Sequence, residues 1–240
     1  MPVALITGAN RGLGLETAKQ LFEKVPGIEV ILASRALSNV EAAVAGFKAK
    51  GYAASAVQLD VTDAASIKAA TAAVEKAHGG VLDILVNNAG VTNYATPLTV
   101  TSEELRSVFE VNVVGVVAVT QAFLPLLRKS DAGRIVNLSS ILGSLGEHAD
   151  PQSAIHAWHA VAYDASKAAL NMFTIELAQE LKDTPIKVNS AHPGWVKTDM
   201  GGENAPLEIA DGVATTVALA TLPATGPTGG FFHVGVHLRW

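Results

Sequence analysis

"VALITGANRGLG", Val3 to Gly14, decides the fold. Val3–Thr7 is an unbroken run of apolar and β-branched residues, which suits a parallel strand buried on both faces. Gly8, Gly12 and Gly14 follow at once, with Asn10, Arg11 and Leu13 between them, and an amphipathic pattern opens at Gly12. Glycines between a strand and a helix allow a tight turn and close backbone approach. A diphosphate can then rest on the helix N-terminus. Strand, glycine loop and helix in this order predict the first unit of a dinucleotide-binding fold.

The same alternation continues outward. Further strand-like runs lie at Glu29–Ala33, Ser55–Leu59, Asp83–Asn87, Arg134–Leu138, Lys187–Ala191 and Gly230–Val234. Helical patterns fill Gly12–Lys24, Leu37–Lys50, Asp63–His78, Ser102–Arg128, Val161–Lys182 and Glu203–Leu222. Strand–helix alternation forces right-handed crossovers, so the expectation is an α/β, doubly wound, seven-stranded parallel sheet with helices on both faces. Residues 1–240 are expected to form a single dinucleotide-binding domain. Loops at about 91–100, 141–160 and 195–210 follow strand ends and should form the substrate crevice.

Composition narrows the function classes. Hydrophobic residues make up 49% and charged residues 16% of the 240, enough for a large buried core. The net charge of −5 comes without a long run of one sign, which argues against nucleic-acid and membrane-surface partners. The absence of cysteine excludes disulfides, thiolate metal sites and a cysteine nucleophile. "MPVALITGAN" shows no leader pattern and "VGVHLRW" no sorting tail, so a cytoplasmic protein is expected. Val108–Leu127 has the length of a membrane span. Glu110, Asn112, Thr120, Gln121 and Pro125 interrupt it, and a buried helix is the better reading. His156 and His159 lack a third ligand nearby, so no metal site is expected. His192 reads as structural.

Cofactor choice is visible at the end of the second strand. An acid there would hold a ribose 2′-hydroxyl. "LASRAL" instead supplies Ser34 and Arg35, and Arg11 lies in the glycine loop. Guanidinium groups and a hydroxyl suit a 2′-phosphate, so NADP(H) is expected over NAD.

"AVAYDASKAAL", Ala160 to Leu170, poses the chemical question. A free phenol has a pKa of about 10 and is a poor acid or base at neutrality. Tyr163 and Lys167 stand at i and i+4, on one helix face. An ammonium beside a phenol favours the phenolate, so Lys167 is expected to lower the pKa of Tyr163.

Taken together, these segments resemble the classical short-chain dehydrogenase/reductase family, a Rossmann-type fold, over essentially the whole chain. "TGANRGLG" resembles its cofactor loop, and "LDV" its adenine-pocket segment with Asp60 and Val61. "NNAG" resembles the motif closing strand four, with Asn88, Ala89 and Gly90. "VNVVG" supplies Asn112, "VNLSS" supplies Ser140, and "YDASK" supplies Tyr163 and Lys167. "HPGWVKTDM" resembles the segment covering the nicotinamide, with Pro193, Gly194, Val196 and Thr198. The resemblance implies hydride transfer, on the 4-pro-S side, between nicotinamide and a small-molecule carbonyl or alcohol. Tyr163 would be the general acid or base, Ser140 the donor holding the substrate oxygen, and Lys167 the ribose ligand. Asn112 would anchor a water linking Lys167 to solvent.

Ser140 and Tyr163 are 23 positions apart, longer than is typical for the family. The excess, "GEHADPQSAIHAW", resembles the carbonyl-reductase branch, including sniffer-like and C-factor-like reductases. It implies a shaped substrate pocket and a monomer or small homo-oligomer. Tyr94, Ile141, Leu142, Trp158 and Trp195 are the expected lining, which favours aryl or aliphatic ketones and aldehydes. The first reading is therefore an NADPH-dependent carbonyl reductase. A dehydrogenase of one metabolite alcohol and a non-catalytic NADP(H) sensor are the alternatives.

Overall fold

The computed structural model describes residues 1–240. Its sheet contains β1 (Val3–Thr7), β2 (Glu29–Ser34), β3 (Ala53–Gln58), β4 (Ile84–Asn87), β5 (Arg134–Leu138), β6 (Lys187–Ala191), β7 (Phe231–His233) and β8 (Val236–His237). The spatial order is β3-β2-β1-β4-β5-β6-β7-β8. Strands β1 to β7 are parallel to their neighbours, and β8 is antiparallel to β7. The order reverses between β1 and β4, so a crevice opens above their carboxyl ends.

All five residues of β1 are buried, as their unbroken apolar run requires. Val3 and Leu5 enter one core with Ile31, Leu85, Ile135 and Val188. Ala4 and Ile6 enter the opposite core with Val30, Leu32, Ile84 and Val86. The two-residue period of the strand thus feeds both layers. The helices are α1 (Gly12–Lys24), α2 (Ser38–Ala49), α3 (Ala64–Ala77), α4 (Ser102–Phe109), α5 (Val116–Leu127), α6 (Leu145–Ala149), α7 (Val161–Glu180), α8 (Ile209–Gly212) and α9 (Ala214–Ala220).

Beneath the crevice runs a buried polar ladder. Asn87 Nδ2 donates to Asn137 Oδ1 at 2.8 Å and to Thr120 Oγ1 at 2.9 Å. Asn137 Nδ2 donates to Thr174 Oγ1, which also accepts from Ser190 Oγ, both at 2.9 Å. Asn87, Asn137 and Ser190 are in register across β4, β5 and β6. A slip of one residue would strand these groups, so the ladder fixes the height at which each strand ends.

The structure corrects three sequence expectations. First, the sheet has eight strands, because a hairpin at Val234–Gly235 adds β8. Val234 takes φ of 45° and Gly235 φ of 79°, the positive angles of a two-residue hairpin turn. A β-branched residue is uncommon there, which hides the turn, and Val234 N–H is anchored by Thr215 Oγ1 at 2.8 Å. Second, 203–222 is not one helix. Pro206 disfavours helix at Ala205, and Leu207 pairs with Val196 as an isolated parallel bridge, with Lys197 N donating to Leu207 O at 2.9 Å. Third, the long helix over 102–127 is interrupted by a π-helical turn, Glu110–Gly115. This segment is long and apolar enough, by length and composition, to cross a membrane. In the fold, Val116, Val119, Phe123, Leu126 and Leu127 are buried in the protein core.

The insertion before α7 carries α6. Residues from the chain end hold it: Gly146 N donates to Trp240 O at 2.9 Å, and Arg239 Nη2 donates to Gly146 O at 2.7 Å.

Candidate active site

The glycine loop is built for close approach. Gly8 and Gly12 have φ of 64° and 54°. A Cβ on Gly14 would lie 2.5 Å from Asn88 Nδ2 and 2.7 Å from Gly8 O. Thr7 ties this loop to the end of β4: its hydroxyl accepts from Asn88 N and Ala89 N, each at 3.0 Å. Asn88 Nδ2 returns a bond to Thr7 O at 2.8 Å. Thr7 was legible only as the first letter of the cofactor motif, and its bridging role appears only in three dimensions.

Over this loop lies a cleft of about 1130 Å³. It is lined by Gly8, Asn10, Arg11, Gly12, Leu13, Gly14, Ser34, Arg35, Asp60, Val61, Asn88, Ala89, Gly90, Tyr163, Lys167, Pro193 and Thr198. Gly194 and Val196 do not line it. Val196 is buried and would meet a side chain on Gly212, so it packs the loop instead. Asn39, Thr62, Val111, Leu138 and Lys197 line the cleft without having been singled out in sequence. Val111, Leu138 and Lys197 lie inside the quoted motifs and Thr62 directly follows one, which is the signal that could have found them.

At the 2′-phosphate end, Arg35 is exposed and forms no ion pair, while Ser34 is buried. Arg11 is ion-paired with Asp199 across the cleft. Asp60 is held below the usual carboxylate range, first by the Thr62 backbone N–H and then by its hydroxyl.

At the other end, α7 carries Tyr163 and Lys167. Lys167 is buried, donates to Leu138 O at 2.7 Å and lies 5.4 Å from the centroid of the Tyr163 ring. Burial lowers the Lys167 ammonium from 10.5 to about 8. The Tyr163 phenol moves the other way, to about 12. Burial is the main cause, with Asp164 and Tyr94 adding to it and a side-chain hydrogen bond with Ser140 opposing it. This corrects the expectation that Lys167 depresses Tyr163: loss of water around the phenolate is the largest effect, and Lys167 is not among the groups that shift the phenol. Asp164 contributes because its carboxylate turns back to accept from Ala160 N at 3.0 Å, fixing a negative group beside the phenol.

Ser140 caps a single 3₁₀ turn, Ile141–Gly143. Its Oγ accepts from Leu142 N at 3.2 Å, which leaves the hydroxyl proton free to donate. Asn112 lies in the π-helical turn and is fully buried. Its Oδ1 accepts from Val91 N, and its Nδ2 donates to Val91 O, both at 2.9 Å, and to Ser166 Oγ at 3.0 Å. The side chain is therefore spent on holding the segment after Gly90 against α7. π-turns inside helices are frequent at functional sites, and hydrophobic periodicity gives no sign of them.

The substrate candidates lie outside the main cleft. Tyr94 donates from its hydroxyl to Met200 O at 2.6 Å, and Trp195 Nε1 donates to Gly201 O at 2.8 Å. Both are more than half exposed, and Trp158 is 43% exposed. Ile141 and Leu142 form the turn beside Ser140.

A family model described as short chain dehydrogenase matches residues 2–208. The chain belongs to the short-chain dehydrogenase family. Short-chain dehydrogenase anuI of Penicillium roqueforti is 38% identical, covering 92% of this chain and 88% of that protein. Carbonyl reductase (NADPH) 1 of Mus musculus is 33% identical, covering 96% and 95%. The crystal structure of NADPH-bound carbonyl reductase from chicken fatty liver superposes with a TM-score of 0.88 at 31% identity, covering all of both chains. The family member described here is thus carbonyl-reductase-like along its length.

Proposed function

We propose that this protein is an NADPH-dependent carbonyl reductase, with Tyr163 as general acid. The observation that carries the proposal is one geometry: a protonated phenol and a buried lysine line one end of a dinucleotide-sized cleft, and Ser140, which caps the next turn, directly follows the lining residue Ser139. The likeness to carbonyl reductases, one of them NADPH-bound, supports the same cofactor and reaction class.

The residues present fit the cofactor. Gly8 and Gly14 let the loop pack tightly against Asn88 and Ala89, where a Cβ would collide, and the loop lines the cleft where a diphosphate would lie, with Arg35 and Arg11 in the lining toward the 2′-phosphate end. When bound, NADPH supplies the hydride. The chain's own work is positioning and proton delivery. Ser140 holds the carbonyl oxygen through its free hydroxyl proton. Tyr163 keeps its proton through the neutral range, because its pKa stands near 12, and gives it to that oxygen as negative charge develops. Lys167 is fixed by Leu138 O and turns its remaining donors to the cleft, where a ribose would lie. Loops at about 91–100, 141–160 and 195–210 form the substrate side of a single domain, with Tyr94, Ile141, Leu142, Trp158 and Trp195 as its apolar lining.

A ketone and aldehyde panel with NADPH and NADH, read at the nicotinamide band, tests the reading. Turnover with NADPH is expected, and binding without turnover of any carbonyl would overturn it. Gly14→Val is expected to weaken NADPH binding by about 10–100-fold, because the new side chain displaces Asn88 and the Gly8 carbonyl. Fluorescence titration measures this.

Lys167 sets the pH dependence. Its ammonium is present below about 8 and lost above it, so kcat/KM for reduction is expected to fall as pH rises through about 8. Its effect on stability has the opposite sign. Between about 8 and 10.5 the unfolded chain holds this proton and the folded chain does not, so the group adds stability as pH rises. Lys167→Met should remove both trends in pH-rate and denaturation profiles.

A further inference from the structure

The turn that presents Ser140 has three early backbone N–H groups to satisfy. Leu142 N goes to Ser140 Oγ, and Gly143 N goes to Ser140 O at 2.9 Å. Ile141 N, the group directly after Ser140, goes to Nδ1 of His192 at 3.2 Å. The same Nδ1 accepts from Gly194 N at 3.4 Å. One ring nitrogen therefore joins two segments: the serine turn after β5 and the Pro193–Gly194 segment after β6.

Backbone N–H groups can only donate, so this Nδ1 carries no proton and the ring proton is on Nε2. The His192 backbone is fixed on both sides. His192 N donates to Phe232 O at 2.8 Å, and its carbonyl accepts from His233 Nδ1 at 2.9 Å. The two imidazoles are 4.8 Å apart. Burial, with His233 adding to it, drives His192 down to about 3, so it stays neutral across the working range.

We infer that His192 is a positioning residue: its Nδ1 sets the height of Ser140 against the Pro193–Gly194 segment, and so the placement of the carbonyl oxygen relative to the hydride. The inference rests on the proposed reductase reading. Displacement of reacting groups by about 1 Å costs about 10²-fold in rate.

Asn and Leu are nearly the same shape, and only Asn offers an acceptor near the Nδ1 position. His192→Leu is expected to lower kcat by about 10²-fold, with the NADPH dissociation constant changed by less than about threefold. His192→Asn is expected to retain kcat to within about fivefold. Equal loss in both variants, or full kcat in His192→Leu, overturns the inference.

Amide exchange provides a readout independent of turnover. The Ile141 and Gly194 amides should be protected in the wild type and His192→Asn and exchange fast in His192→Leu. Unchanged protection in His192→Leu overturns the inference. If no carbonyl is reduced by the wild type, the reductase reading fails and the exchange data alone decide whether His192 holds the two segments. Should His192→Leu not fold, the wild-type imidazole ¹⁵N spectrum decides: an unprotonated Nδ1 is expected, and a proton on it overturns the inference.

Discussion

Tyr163→Phe should lower the rate of carbonyl reduction by about 10³-fold while NADPH binds as before, since general acid catalysis contributes roughly 10²–10⁴-fold. The substitution removes one oxygen and keeps the ring. Burial, the main cause that raises the phenol to about 12, does not disfavour a ring without its hydroxyl, so the fold should not suffer. Lys167 keeps its bond to Leu138 O and its place at the cleft. The transition state alone loses its proton donor, which lowers kcat and kcat/KM together. Stopped-flow absorbance with NADPH, beside a fluorescence titration of cofactor binding, separates the two effects. A rate within tenfold of the wild type would remove Tyr163 from the mechanism. Unchanged cellular function with lost turnover would instead favour a cofactor-sensing role.

Arg35→Asp should reverse cofactor preference, weakening NADPH by about 10²-fold and leaving NADH unchanged or improved. A charge-assisted bond contributes roughly 1.5–3 kcal/mol, equivalent to about 10–150-fold. Arg35 is exposed and free of any ion pair, so its charge is available for a phosphate. The other candidate, Arg11, is already engaged with Asp199. The new carboxylate would repel a 2′-phosphate and accept from a 2′-hydroxyl. Michaelis constants for both cofactors decide the matter, and equal changes in the two would show that Arg35 does not read the phosphate.

Much of the fold was legible because buried parallel strands have a distinct signature. Val3–Thr7 matches its expected limits to the residue, since five unbroken apolar or β-branched positions admit few alternatives, and Arg134–Leu138 does so although Arg134 and Asn137 interrupt its apolar run. The misreadings fall where local rules compete. Pro206 broke a helix whose apolar period continued past it, and Val234 closed a hairpin without the usual Asn or Gly before its glycine. The site was legible as motifs but not as electrostatics. Spacing places Lys167 beside Tyr163. It cannot show how much water the phenol loses, and that loss reversed the expected pKa shift. His192 read as structural because its value depends on Ile141, which comes from another strand end.

The central strand has a consequence for how the chain is made. β1 emerges first in synthesis, and β2 can cover one of its edges early. The partner for its other edge is β4, and contacts such as Val3 N to Asp83 Oδ2 span 80 positions. Until that length has been produced, a strand of four apolar residues and a threonine presents an open edge, and closing so long a loop delays its pairing. Nascent chains shorter than about Asn87 should therefore depend on chaperones and aggregate without them, although they already contain the whole glycine loop.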